Sequence, residues 1–395
     1  MSVEIDLALG GEVDDLHGLF AGLRRLGPLA RVRYFGEPAW ILLSYDAVEA
    51  AYRDDVLFPA EAAFREMIEP VMGRTLQCMS GEEHTRNRRL VSPSFRVRVM
   101  PAQVRPVIEE VANELIDGLI GRGEADLVED FDRQLPGAVI TRMLGIGRSS
   151  DVDLQRWAHQ ILNFPSDPAA GLAARDEFTR LLAPLVAERR LHPTDDLISV
   201  LAHADDGGER LDDEQIFSFV RLLFAAGTDT AFLGLGNALY ALLRDPEQLE
   251  AARSGATELR WVVEEALRWE SPVSMEPRRA PVATEWFGQP IEAGARLLFG
   301  IAAANRDPSV FADPDRFDPG RRPDRIMTFG IGVHFCLGAH LARAELEVGL
   351  AAVLGRLADL RLEDVDATTV RGTVLRGPDQ LRVRFRPERS TSAAR

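Results

Sequence analysis

The sequence predicts a mainly α-helical protein with small β-sheets, an α+β fold. Apolar residues recur at helical spacing through most of the stretch 83–357, whereas the strand-like segments are short and scattered. One long apolar segment ends at Arg244. About 31 helical residues there would span roughly 45 Å, enough to cross a whole globule, and such a helix must be buried on most sides.

The N-terminal part, about 28–75, is predicted to contain β-structure. Strands are predicted at 30–34 and 39–44, joined by a turn at 36–38, and a helix follows at 45–54. A helical core then spans about 83–357. Its predicted helices are 83–122, broken at Pro101, then 131–145, 151–164, 171–190, 194–203, one from Asp212 or Asp213 to Arg244, 247–254, 256–270 and 338–357.

Short strands are predicted at 284–287, 289–291, 296–298, 370–375 and 381–386. The stretch 305–328 is rich in Asp, Arg and Pro and lacks periodicity, so it is expected to be irregular but ordered. No repeat, linker or charge block marks a boundary. Residues 1–395 are therefore predicted to form one domain with a disordered tail at about 388–395.

The composition excludes several classes of function. All 46 basic residues are arginine, and without lysine there is no Schiff-base catalysis, no pyridoxal phosphate anchor and no P-loop. The formal net charge of −16 argues against nucleic-acid binding but leaves room for a local basic patch. The two cysteines, Cys78 and Cys336, form neither a disulfide framework nor a sulfur-rich zinc site.

Neither a targeting signal nor a membrane span is predicted. Residues 1–11 lack a basic stretch followed by an apolar one, which indicates a cytoplasmic protein. Residues 222–243 are apolar enough to cross a membrane, but they contain Asp229 and Asn237 and are flanked by Arg221 and Arg244. A charge in mid-span is costly, so we prefer a buried central helix.

The strongest functional pattern lies directly before the last helix. It reads Phe329-Gly330-Ile331-Gly332-Val333-His334-Phe335-Cys336-Leu337-Gly338. The three glycines permit tight backbone geometry and close approach of a flat ligand. At a helix entrance, the macrodipole is expected to lower the pKa of the Cys336 thiol. The alternative is a small buried cysteine in a glycine-rich turn.

This segment resembles the cysteine loop of the cytochrome P450 family, and further family patterns follow in order over nearly the whole chain. The resemblance implies the P450 fold, with heme b between the long helix and the cysteine-bearing helix. It implies Cys336 as the iron ligand, and a thiolate opposite O2 favours O–O cleavage. The other heme-binding residues of this loop would be Phe329, Gly330, His334 and Gly338.

The resemblance also implies partners for the anionic heme propionates. They are His84, Arg88, Arg278 and His334. His84 and Arg88 are spaced i,i+4 and so share a helix face. Arg279 is the alternative to Arg278, and Ile326 departs from the histidine of many bacterial members. Taken singly, each residue is more commonly a surface arginine or a hydrogen-bonded histidine.

The segment Ala226-Gly227-Thr228-Asp229-Thr230, in the middle of the long helix, resembles the family's oxygen groove. Glycine weakens a helix interior by about 1 kcal/mol relative to alanine, so it needs a reason there. The resemblance implies that Ala226 and Gly227 leave space at the heme, that Thr230 binds O2 or water, and that Asp229 relays protons. The alternative is that Thr230 bonds the Ala226 carbonyl and Asp229 pairs with an arginine. Through this acid–threonine pair, the resemblance also implies the use of O2 with two electrons rather than of peroxide.

Glu265 and Arg268 form a Glu-x-x-Arg pair on an otherwise apolar helix. At i,i+3 they share one face, and an exposed pair of this kind contributes little. The resemblance implies instead a buried structural clamp. Its third member would be Arg316, with Arg321 as the alternative.

No G-x-G-x-x-G pattern for flavin or NAD is present, so electrons must come from another protein. The resemblance implies a ferredoxin or flavodoxin served by a reductase. Its docking face would contain Arg86, Arg89 and Arg343, extended by Arg96 and Arg98. The alternative is a set of scattered solvated arginines. The protein is expected to be a monomer.

The substrate is expected to be an apolar organic molecule. The regions expected to line its pocket are 59–80, 160–185, 224–226, 273–277 and the turn near Thr373, with Phe58, Phe64, Met67, Phe164 and Met275 in or beside them. The predicted reaction is O2-dependent hydroxylation or epoxidation. Two alternatives are a heme sensor or carrier, which would not need the acid–threonine pair, and a heme-thiolate isomerase or dehydratase that needs no O2.

Overall fold

The computed structural model describes residues 2–8, 13–95, 103–147 and 151–388. Side chains are described for the same residues except 2–4 and 151–152. Arg96, Arg98, Pro101 and the predicted tail beyond residue 388 lie outside the described residues.

Helices dominate the described part of the chain, so the predicted fold class is confirmed. The α-helices are α1 (Leu16–Arg24), α2 (Tyr45–Arg53), α3 (Ala60–Met67), α4 (Glu69–Met72), α5 (Gly81–Val91), α6 (Arg105–Leu119), α7 (Gln134–Met143), α8 (Asp151–Leu162), α9 (Pro168–Leu191), α10 (Leu197–Ala202), α11 (Asp213–Arg244), α12 (Pro246–Arg253), α13 (Leu259–Trp269), α14 (Ile301–Asn305) and α15 (Ala339–Arg356). Helix α14 was not predicted from the sequence, because all five of its residues are buried and they show no amphipathic pattern.

The strands are short, as expected. They are β1 (Ser2–Asp6), β2 (Leu29–Tyr34), β3 (Glu37–Leu42), β4 (Glu124–Asp126), β5 (Asp205–Asp206), β6 (Glu209–Arg210), β7 (Glu276–Arg279), β8 (Thr284–Trp286), β9 (Gln289–Ile291), β10 (Arg296–Phe299), β11 (Arg361–Leu362), β12 (Val370–Arg371), β13 (Gly377–Pro378) and β14 (Arg382–Arg384). The largest described sheet has the order β1-β2-β3-β10-β7, in which β7 is an edge strand.

The turn of the first hairpin comes earlier than the sequence predicts. Tyr34 pairs with Glu37, so Phe35 and Gly36 form a two-residue turn, and Pro38 lies inside β3 opposite Arg33. Phe35 and Gly36 have φ angles of 50° and 74°, as a type I′ turn requires. Pro38 had suggested a turn, but it fixes φ in a range that a strand also tolerates.

Helix α11 is the central element of the core. Asp212 caps its first turn, and Gln215 completes a reciprocal capping box. The helix has 32 residues and contacts α7, α8, α9, α13 and α15. It is the one described helix long and apolar enough to cross a membrane, but 61% of its most apolar window is buried inside the protein. A core helix explains this pattern, as predicted.

Candidate functional site

The cysteine loop folds back on itself just before α15. The Cys336 amide donates to the Phe329 carbonyl at 2.9 Å, and the Gly330 amide donates to the Met327 carbonyl at 2.8 Å. Gly330 and Gly332 have φ angles of 64° and 78°, in the left-handed region that favours glycine. A Cβ at Gly332 would lie 2.9 Å from the Tyr52 carbonyl oxygen. Gly330 and Gly332 therefore have the predicted tight backbone geometry, while Gly338 has an ordinary φ of −82°.

Cys336 is an exposed residue of this loop, although protein atoms surround its sulfur on most sides. Desolvation raises the pKa of this thiol, and the nearby Glu276 carboxylate adds to the effect. The Gly338 amide and the cations of Arg88 and Arg343 lower this pKa, but their effect is smaller than that of desolvation. The expectation of a lowered thiol pKa is therefore wrong, because desolvation outweighs the helix entrance. Iron bonded to this sulfur would favour its thiolate form.

Two imidazoles and an arginine lie beside the loop. The rings of His84 and His334 are 4.3 Å apart, and Arg88 donates to the Phe335 carbonyl. His334 Nε2 lies 3.1 Å from a carboxylate oxygen of Asp55. Burial, together with the neighbouring His334 and Arg88, lowers the pKa of His84 to about 4. His84 is thus held as a neutral hydrogen-bonding group.

Arg278 approaches the same region from β7. Its side chain is buried, and its guanidinium lies over the rings of Tyr52, Phe64 and Phe299 at 5.1–5.7 Å. It also contacts Glu276 at 3.3 Å. The adjacent Arg279 pairs instead with Glu66. The structure therefore turns Arg278 inward and leaves the alternative, Arg279, outside.

This donor set fits a heme. It combines one accessible thiol with imidazole and guanidinium groups that suit anionic propionates. Nε2 of the buried His84 has no hydrogen-bond partner among the described residues, as expected of a group reserved for a ligand. Cys336 would hold the iron, and His84, Arg88, Arg278 and His334 would hold the propionates.

The central helix, α11, carries the predicted acid and threonine. Thr230 donates to the Ala226 carbonyl at 2.6 Å, which is the back-bonding considered as the alternative. Its oxygen keeps acceptor capacity. A Cβ at Gly227 would meet the side chain of Ile140 at 3.0 Å, so helix packing already explains this glycine.

Asp229 pairs with a histidine rather than an arginine. Nδ1 of His159, on α8, lies 3.5 Å from Asp229 Oδ2. The His159 side chain is 65% exposed and that of Asp229 is 15% exposed, so the imidazole lies between the carboxylate and solvent. The hydrogen bond to Asp229 raises the pKa of His159, although burial and Arg133 oppose it. Sequence spacing gave no signal for this contact, since it joins two helices far apart in the chain.

The Glu-x-x-Arg pair is buried as predicted, but its third arginine is different. Arg268 donates twice to Glu265 at 2.8 Å, and both side chains are 0% exposed. Arg321 completes the clamp, with Nε 3.3 Å from Glu265 Oε1. Arg316 is exposed and contributes only its carbonyl, which accepts from Arg268. The choice of Arg316 is wrong, because the turn Pro319–Arg321 directs Arg321 inward.

The arginines of the predicted docking face differ in whether they pair with a carboxylate of the protein. Arg343 forms a two-point contact with Glu264 and lies 4.3 Å over the Phe329 ring, so it supports the cysteine loop. Arg89 pairs with Asp206 at 3.0 Å. Arg86 is exposed and has no ion pair among the described residues. Arg343 is therefore not the free surface cation that the prediction required.

A cleft of about 250 Å³ lies between β7, α3 and the segment after α8. Met67 and Phe164, two of the apolar residues expected in or beside the pocket-lining segments, lie on its wall. Phe58 and Met275 are instead packed into the core, each 1% exposed, and do not line this cleft. A large apolar side chain looks the same in a sequence whether it lines a pocket or fills a core.

Comparison with known proteins shows which family the chain resembles. The family model for cytochrome P450 matches residues 172–383. The 6-deoxyerythronolide B hydroxylase of Saccharopolyspora erythraea is 36% identical over 94% of this chain and 96% of its own length. The mycinamicin IV hydroxylase/epoxidase of Micromonospora griseorubida is 35% identical over 94% and 97%. The solved structure of cytochrome P450 CYP109Q5 from Chondromyces apiculatus superposes with a TM-score of 0.89, at 32% identity, over 98% and 100%.

Fold and site together define a heme-thiolate protein. The chain belongs to the cytochrome P450 family. It is a P450 monooxygenase that uses heme b and O2, acts on an organic substrate and depends on a redox partner.

Proposed function

We propose that this P450 inserts one oxygen atom from O2 into an apolar organic substrate, with two electrons from a separate ferredoxin or flavodoxin and its reductase. The observation that carries the proposal is the cysteine loop, with its accessible thiol surrounded by imidazole and guanidinium groups. The heme supplies the redox-active iron and the reduction of O2. The protein would act as a cytoplasmic monomer with a single domain.

Each proposed site residue has one task. Cys336 binds the iron, and Phe329, Gly330 and Gly338 shape the loop around it. His84, Arg88, Arg278 and His334 bind the propionates, while Ala226 and Gly227 keep α11 narrow beside the heme. Asp229 and Thr230 hold and move protons near the place of O2 reduction. Glu265, Arg268 and Arg321 form a buried clamp that stabilises the region of the cysteine loop.

The proposal is tested by turnover under isotopically labelled O2. The purified protein, a surrogate ferredoxin and reductase, NADPH and a library of apolar compounds are incubated with ¹⁸O2. One labelled oxygen atom in the product supports the proposal. Product formation without O2 would identify an isomerase or dehydratase, and substrate binding without NADPH consumption would identify a sensor or carrier.

The pair His159–Asp229 predicts a pH dependence. Because the pKa of His159 is raised above its usual 6.5, the imidazole keeps its proton and its ion pair below that pKa and loses both as the pH rises through it. The charged groups that face it are Asp229 and Arg133, and Asn163 contacts its other ring nitrogen. If His159 passes protons to Asp229, the amount of product formed per NADPH consumed falls as the pH rises through the pKa of His159. In the His159→Asn variant, this ratio should no longer depend on pH in the same range.

An NMR titration of the His159 ring provides the control for this prediction. Asp229→Asn is expected to lower the pKa of His159, since its hydrogen-bond acceptor is weakened. An unchanged His159 pKa in this variant, or an unchanged pH profile in His159→Asn, would rule out the relay.

Docking of the electron donor is predicted to depend on Arg86. Arg86→Glu is expected to slow reduction by an acidic ferredoxin about tenfold at low ionic strength, and less at high salt, because a rim charge acts mainly on association. Substrate affinity should not change. Arg25→Glu is the matched control, since Arg25 is also exposed but directly follows α1, the helix that packs on β2. Equal rates for the two variants would contradict docking at Arg86.

A further inference from the structure

The cleft beside β7 has an unusual balance of charge. Its wall contains the apolar side chains of Phe35, Met67 and Phe164, three arginines, and one carboxylate, that of Glu66. The arginines are Arg278, Arg279 and Arg296. Because the whole chain carries a net charge of −16, a cleft with this excess of cations stands out from its surroundings.

Two of these arginines face each other directly. Arg296 of β10 is the antiparallel partner of Arg279 of β7, so their side chains project from the same face of the sheet. Like charges opposite each other across two strands are destabilising. Glu66 compensates Arg279, but its side chain is 61% exposed. Arg296 has no ion pair among the described residues, and its guanidinium donates a hydrogen bond to the Tyr34 carbonyl at 3.4 Å.

We propose that this cleft binds the anionic end of the substrate, a carboxylate or a phosphate ester, with Arg296 and Arg279 as the binding groups. Guanidinium forks match both kinds of oxyanion. The apolar wall around Phe35, Met67 and Phe164 takes the adjoining carbon skeleton. Without the ligand, the Glu66 carboxylate pairs with Arg279, and the anionic end of the ligand displaces this carboxylate when it binds.

The position of Arg278 connects the cleft with the heme region. Arg278 lines the cleft, and its buried side chain is also one of the groups proposed to bind the heme propionates. A ligand held at its anionic end by Arg279 and Arg296 therefore lies beside a residue that would also contact the heme. This inference rests on the proposed function, and it names the substrate as an apolar compound with one anionic end.

The test is a binding titration of the heme-loaded protein, followed by its spin-state absorption shift. The probes are dodecanoate, dodecyl phosphate and dodecan-1-ol, which share one chain. An anionic probe is expected to bind about tenfold more tightly than the alcohol, as hydrogen bonds to charged groups imply. The ratio between dodecanoate and dodecyl phosphate tells which oxyanion the cleft prefers.

Two variants are expected to act in opposite directions. Arg296→Gln should weaken binding of the preferred anion about tenfold, whereas Glu66→Gln should strengthen it about two- to fivefold by removing the competing carboxylate. Neither should change the affinity for dodecan-1-ol. Arg33→Gln, an exposed arginine of β2 that does not line the cleft, is the control.

Equal affinities for the three probes, no anion binding, or equal effects of the two variants would overturn the inference. The turnover test with labelled O2 is independent of these results. Failure of the cleft proposal can therefore be distinguished from failure of the proposed function.

Discussion

Replacing Cys336 with alanine is expected to abolish turnover together with the thiolate-type, red-shifted absorption of the carbon-monoxide adduct. The loss in turnover should exceed about 100-fold, since even the outer-shell partners of a metal ligand contribute 10–100-fold. The other cysteine cannot replace it. Cys78 is 0% exposed, contacts Thr75 Oγ1 at 3.5 Å, and has a pKa raised by burial.

Cys78→Ala is the matched control, and it should leave the carbon-monoxide spectrum unchanged. Far-UV circular dichroism of the Cys336→Ala protein should remain that of a helical protein, because the backbone hydrogen bonds from Cys336 to Phe329 and from Gly330 to Met327 do not involve the sulfur. Full turnover in Cys336→Ala would refute the assignment of the iron ligand. So would a carbon-monoxide spectrum that changes in Cys78→Ala and not in Cys336→Ala.

The cysteine loop could be predicted because its information is local. Gly330 and Gly332 adopt backbone conformations that few other residues tolerate. The positions of these glycines in the sequence therefore indicate the conformation of the loop. The central helix was predictable for a similar reason, since Asp212 and Gln215 mark its start and its apolar content implies burial. In both cases the residues that matter are neighbours in the chain.

The remaining site contacts could not be predicted because they join distant segments. Arg316 and Arg321 lie in one aperiodic stretch, and only the backbone turn at Pro319–Arg321 decides which of them reaches Glu265. The pair His159–Asp229 depends on how α8 packs against α11. The thiol pKa of Cys336 is a balance of opposing effects, and the sequence shows only the helix entrance.

The Glu265–Arg268 clamp is expected to contribute most to stability. Arg268→Ala leaves the carboxylate of Glu265 buried and short of its main partner, and breaking a buried pair in this way costs about 3–5 kcal/mol. The carbonyls of Asn305, Pro314 and Arg316 lose their donor as well. Urea unfolding of the heme-loaded protein, followed by circular dichroism, measures the loss.

The control has the same i,i+3 spacing without the burial. Arg156 pairs with Asp153 at 2.7 Å on α8, and both side chains are more than half exposed. Arg156→Ala should cost less than about 1 kcal/mol, because solvent screens such a pair. Equal losses for the two variants would show that burial of the clamp does not determine its strength.

The clamp also predicts a second effect, on heme retention. Arg268 donates to the Asn305 carbonyl, and the Asn305 side chain in turn accepts from the Met327 amide at 2.7 Å and donates to Thr328 at 2.9 Å. Met327 and Thr328 lead directly into the cysteine loop. Arg268→Ala should therefore accelerate transfer of heme to an acceptor apoprotein, whereas Arg156→Ala should not. A destabilised variant that keeps its heme as long as the unmodified protein would show that the clamp supports the helices but not the loop.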